Sequence, residues 1–183
     1  MKIIIARILI FLSVLLLSCS IEETKPPQVT PQDTPDQILE NSTIVLTIGG
    51  IKSTVIKANY LIKYEKRDVT LARVIQADFF DKEGNHTSVL TADSGFIHEQ
   101  RQDMEVQGNV LVITDDGLKL ETTSLRWDPK INRIVTDAFV KITKKNDIIT
   151  GYGLETDSEL KNIKVKKNVK GKLEELTEEM TTP

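Results

Sequence analysis

Val110-Leu-Val-Ile-Thr-Asp-Asp-Gly-Leu-Lys-Leu120 is the stretch that decides the fold class. β-Branched and aliphatic residues flank Asp115-Asp116-Gly117, and a glycine that tolerates positive φ is what a tight turn between antiparallel strands needs. Outward from that hairpin, Leu118, Leu120 and Thr122, then Leu125 and Trp127, then Ile134 and Thr136, then Val140 and Ile142 fall on one face. Lys119, Glu121, Arg126, Arg133 and Lys141 lie between them. Strand side chains alternate between two faces, so this spacing predicts strands with one wet and one apolar surface. Gly49-Gly50, Lys82-Glu-Gly-Asn85, Asp128-Pro129 and Lys144-Lys-Asn-Asp147 add turn signals at the spacing of an all-β domain. Leu90-Thr-Ala-Asp93, Ile134-Val-Thr-Asp137 and Leu154-Glu-Thr-Asp157 read as a loose repeat, each closing a strand.

Before this domain, Lys2 and Arg7 flank the start of an apolar run from Ile8 to Leu17, which ends in Leu16-Leu-Ser-Cys19. A basic start, a short apolar core and a small-residue exit are the layout of a cleaved export signal. The run is shorter than the roughly 20 residues that span a bilayer. Leu-Leu-Ser-Cys resembles the lipobox of bacterial lipoproteins, which makes Cys19, the only cysteine, the expected lipidation site and membrane anchor. The expected organisation is therefore a signal peptide over 1–18, the lipidated cysteine and a proline-rich tether over 19–42, one domain over 43–171, and an acidic tail over 172–183. In that tail Leu173, Leu176 and Met180 stand at helical spacing among four glutamates, and so short a helix is marginal alone.

Removing Lys2 and Arg7 from 24 basic residues, against 27 acidic ones, leaves a net charge of −5. Nucleic acid is excluded as a partner, because it calls for a clustered cationic face. The residues also give no catalytic centre, metal site or cofactor: there is no nucleophile beside a base and no phosphate-binding loop. His86 and His98 lack ligand-like spacing and read as solvated. Asp115-Asp116, and Glu155 with Asp157, could serve as acid and base or hold calcium, but turn chemistry and a wet strand face explain them more simply. Gly151 and Gly153, on either side of Tyr152, mark a bulge or a close backbone approach.

From about Ala58 onward the order of segments resembles the LptC family of lipopolysaccharide export. The matching stretches are Leu90-Thr-Ala-Asp-Ser-Gly-Phe-Ile97, Val106-Gln-Gly-Asn-Val-Leu-Val112, Asp116-Gly-Leu-Lys-Leu-Glu-Thr-Thr-Ser-Leu-Arg-Trp127, Ile134-Val-Thr-Asp-Ala-Phe-Val140 and Gly151-Tyr-Gly-Leu-Glu-Thr-Asp157. The related soluble bridge protein LptA shares parts of this pattern. The resemblance implies an open, V-shaped β-jelly roll of antiparallel strands in two facing sheets, whose apolar interior takes the acyl chains of lipid A. It also implies partners: lipopolysaccharide, the inner-membrane ABC transporter complex that supplies it, and the LptA bridge that receives it. The location implied is the periplasm, at the inner membrane. Many members keep a transmembrane helix where this chain has Cys19.

On this reading Val110, Val112, Leu118, Leu120, Leu125, Trp127, Ile134, Val140 and Ile142 line the lipid groove. Ile44, Leu46 and Ile48 at one edge, and Ile163, Val165 and Val169 at the other, lie on strands that meet the transporter and the bridge by strand addition. Exposing an acyl chain of about a dozen carbons to water costs on the order of 10 kcal/mol at about 0.8 kcal/mol per methylene, so a carrier needs a continuous apolar slot. A groove lining and a sealed core share one sequence pattern, which leaves open a tethered adaptor lipoprotein with a closed β-sandwich, an LptA-like bridge, or a carbohydrate-active enzyme using the acidic turns.

Overall fold

The computed structural model describes residues 34–101 and 103–172. The expected signal peptide, Cys19, most of the tether, and the tail from Leu173 onward lie outside them. The described residues form nine strands: β1 (Gln37–Ile48), β2 (Ile51–Tyr64), β3 (Val69–Phe80), β4 (His86–His98), β5 (Asp103–Thr114), β6 (Leu118–Asp128), β7 (Arg133–Lys144), β8 (Asp147–Thr156) and β9 (Lys164–Lys172). All pair antiparallel in chain order, β1 through β9, in one sheet. A 3-10 turn at Glu65–Arg67 is the other regular element among the described residues.

Two expectations change here. A jelly roll with two facing sheets needs connections that cross between sheets. Every connection between the described strands is a turn or short loop joining neighbours, so their topology is a meander in a single sheet. The sheet also starts before Thr43: β1 opens at Gln37, and Ile38 and Leu39 pair with Ile62 and Leu61, apolar partners that draw the end of the supposed tether into the ladder.

Along the middle of the strands the pairing register slips. The breaks fall between Thr91 and Ser94, Gln107 and Val110, Thr122 and Arg126, Thr136 and Phe139, and Thr150 and Tyr152. Positive φ values at Asn41, Val74, Gly108, Asn109, Gly153 and Asn168 fall on the same line. Bulges bend a strand and sharpen its twist. The buried face changes parity there as well: Ala58 is followed by Leu61, Ala72 by Ile75, and Thr122 by Leu125. Each extra residue keeps the apolar side turned inward on both arms of its strand. A single sheet has no second layer to cover that side, so it folds along the bulge line and its two arms cover each other.

Asp93 and Asp137 sit on this line, inside β4 and β7, whereas only Asp157 follows a strand end. The repeat therefore marks bends more than ends. Asp93 accepts a hydrogen bond from Asn109 Nδ2 at 2.8 Å, bracing the bend between β4 and β5.

Gly151 is required by close approach. A Cβ there would lie 2.5 Å from Val165 Cγ1 and 2.8 Å from the Lys167 carbonyl oxygen. Gly153, at φ +73°, supplies the adjoining bulge. Gly151→Ala is expected to cost about 1–3 kcal/mol in urea unfolding, the usual penalty of overpacking. Gly171→Ala, with nothing nearer than 3.9 Å, is expected to stay within about 0.5 kcal/mol; equal losses in the two variants would refute the packing account.

Candidate functional site

Register turns the inward face into rows that run across the strands. Ile44, Ile56, Ala77, Leu90, Val112, Leu120, Ile142 and Ile149 oppose one another in succession from β1 to β8. Every one of them is apolar. A second row on the other arm runs Leu39, Leu61, Ala72, Gly95, Val106 and Leu125. Directly opposed residues share a face, so the two rows form apolar ribbons perpendicular to the strands.

The nine expected lining residues come together on this face. Val110, Val112, Leu118, Leu120, Leu125, Val140 and Ile142 join one buried cluster with Ala92, Leu154 and Leu160. Leu120 and Val140 are 0% exposed, so the chain's own side chains fill the space between the arms at this end. Trp127 and Ile134, which oppose each other nearer the strand ends, are half-buried.

Packing is thinner toward β1. A separate cluster of Ala58, Leu61, Ala72 and Ile75 has only half-buried Ile44, Ile56 and Val106 against it. Leu39 and Leu46 face inward opposite Leu61 and Thr54 yet are 50% and 43% exposed. Sequence reading missed this second cluster because two of its four members are alanines, which carry little hydrophobic signal. It also missed Leu160, a loop residue outside any alternation. Two surface clefts lie elsewhere: one of about 480 Å³, mainly polar, runs past Lys63, Glu65, Asp68 and Glu99, and one of about 570 Å³, mixed in lining, runs past Asn41, Lys57, Gln76 and Asp93 together with Ala58, Val74, Ile75 and Ala92. None of the nine expected lining residues borders either cleft.

At the edges, Ile48 and Val169 are exposed, whereas Ile163 and Val165 are half-buried against the main cluster. Strand addition at β9 would therefore use its backbone, with Val165 already committed inward.

The polar groups have structural employment. His86 is solvent-exposed, as expected, and His98 is half-buried, but each also meets a carboxylate: His86 Nδ1 lies 2.8 Å from Asp115 Oδ1 and its Nε2 lies 3.7 Å from Asp78. His98 Nδ1 lies 3.0 Å from Asp103. In both cases antiparallel pairing brings a carboxylate from a neighbouring strand or turn beside the ring, which linear spacing does not reveal. Lys119 and Lys141 flank Glu121 at 3.0 and 3.3 Å, and the hydrogen bond from Lys119 foremost holds Glu121 below its ordinary range. Asp157 accepts backbone hydrogen bonds from Lys161 at 2.8 Å and Asn162 at 3.1 Å, fixing the loop that carries Leu160. Among the described residues no cluster of three or more metal-ligating side chains occurs.

A family model described as lipopolysaccharide-assembly, LptC-related, matches residues 3–174. The chain belongs to that family. Its work accordingly lies in lipopolysaccharide transport. Similarity extends to a solved structure, the crystal structure of LptH, titled the LptA homologous periplasmic component of the conserved lipopolysaccharide transport device from Pseudomonas aeruginosa. Identity there is 9%, the TM-score is 0.31, and the match covers 78% of this chain and 97% of that one. No curated protein matches the chain in sequence.

In the turn at the head of the hairpin, Asp116 accepts hydrogen bonds from Lys144 Nζ, at 2.7 Å, and from the Thr114 hydroxyl. Lys144 foremost, then Thr114, lowers its pKa from the ordinary 3.8 to about 2. A depressed folded-state pKa gives stability that is fully present above the unfolded value and lost as pH falls through the folded one. Asp116→Asn is expected to flatten the decline of the urea midpoint between about pH 4 and pH 2, with little effect on its slope above pH 5. An unaltered acid limb would count against this assignment.

Proposed function

We propose that the folded sheet is a carrier for the acyl chains of lipid A, held at the membrane through lipidated Cys19. It works in the periplasm, on the inner-membrane side. It takes lipopolysaccharide from an ABC transporter complex at the β1 edge and hands it to the LptA bridge at the β9 edge. The observation that carries the reading is the unbroken apolar row from Ile44 to Ile149, which runs across the strands from one edge towards the other. A core alone does not require such continuity between edges. The rows are also looser at β1, where Leu39 and Leu46 are exposed, than around Leu120, in keeping with entry at the first edge.

Cargo must part the two arms where Leu120 and Val140 are sealed. The exchange is plausible in energy: a Leu or Val that loses its cover forfeits about 1.5–3 kcal/mol, and an acyl chain of about a dozen carbons returns on the order of 10. Sugars and phosphates would stay in water beyond the strand ends. The sealed cluster around Leu120 favours a second reading, an adaptor whose interior never opens.

A photoreactive residue at Leu120 separates the two. In cells making labelled lipopolysaccharide, the carrier reading expects adducts from Leu120 and Leu39, and none from Lys119, which points to the wet face. Adducts from neither inward position, with the protein present and folded, would leave the adaptor reading standing.

A further inference from the structure

The outer surface at the C-terminal end of the sheet is basic and aromatic. Strand β9 carries Lys164, Lys166, Lys167, Lys170 and Lys172 among its nine residues. Lys167 lies opposite Tyr152, Lys170 opposite Thr150 and Lys172 opposite Ile148, so these lysines share the outward face of β8. Tyr152 in turn opposes Phe139. Both rings are exposed, with centroids 5.3 Å apart and planes at 68°. Among the described residues, Lys166 is the one of these five lysines with an ion pair, to Asp137 at 3.7 Å. Glu155 lies across from Lys164 without closing such a pair. Strand β9 is also the last of the sheet, so one side of its backbone ladder has no neighbour among the described residues.

Immediately after Lys172 the sequence reads Leu173-Glu-Glu-Leu-Thr-Glu-Glu-Met180. Four glutamates are interleaved there with three large apolar residues. That composition complements the surface just described: carboxylates for the lysines, apolar side chains for Phe139 and Tyr152.

We propose that residues 173–183 turn back along β9 and cover this surface. Reach allows it. Lys167 lies five residues before Lys172, about 17 Å along a strand, and the eleven residues 173–183 span about 36 Å extended or about 16 Å as a helix. The cover shields the open edge, the segment of a sheet most prone to pair with other chains. The cover does not depend on the function proposed above.

Carbodiimide cross-linking of the full chain, read by peptide mass spectrometry, tests the inference. Glu178 and Glu179 are expected to link to Lys164, Lys166 or Lys167 within one chain, and these links should fade in about 0.5 M salt, where exposed charges are screened. Links to Lys172 alone, links confined to dimers, or none at all would overturn it. Acetylation of Lys164 and Lys167 should be about threefold slower in the native chain than after Glu→Gln at positions 174, 175, 178 and 179, the effect of a modest exposed ion pair. Equal rates, or protection that arises only with vesicles containing phosphatidylglycerol, would refute the cover and point to a bilayer.

Discussion

A single β-sheet with one apolar face can hide that face only against itself. In this chain the constraint is met by a line of bulges crossing the strands, from Asn41 in β1 through Val74 and Asn109 to Asn168 in β9. Bending there brings two arms of one sheet together. Small residues collect where the bend is tight: Ala58, Ala92 and Gly151 flank the line. Side chains such as Leu120, Val140 and Leu154 reach complete burial without a helix or second sheet over them among the described residues. Most other features of the domain follow from that bend.

One consequence is that stability and cargo binding draw on the same residues. The inward rows are the core of the domain, and on the proposed function they are also its binding surface. A core of this kind is held by contacts that a hydrocarbon chain can replace, because dispersion and water exclusion do not distinguish a leucine side chain from an acyl segment. Packing is uneven along the rows, dense around Leu120 and spare among the alanines of β2 to β4, so the arms are held together least firmly toward β1.

The outer face does different work. Glu121 between Lys119 and Lys141 and the Asp116–Lys144 pair lie on it or at its turns, tying adjacent strands in water, where each pair contributes modestly. The two edges differ in chemistry. Strand β1 exposes Ile38, Val45 and Ile48, and β9 exposes lysines. Edges so unlike one another suit a head-to-tail contact between different surfaces over a symmetric pairing of like with like.

Much of the architecture is legible in the sequence. Asp115-Asp116-Gly117 announces its hairpin, and Gly117 adopts φ +85° there. Alternation assigns Val112, Leu120 and Ile142 to one face, and even the bend leaves a trace in the three-residue step from Thr122 to Leu125. These are local properties, fixed by the period of a strand and the conformational freedom of glycine. What only the tertiary structure decided is how the strands close over one another: one sheet in place of two, β1 recruited from Gln37, histidines met by carboxylates of neighbouring strands, and Leu160 drawn into the core from a loop. Those outcomes depend on which residues meet across the ladder and the fold line, and alternation within one strand carries no record of its partner.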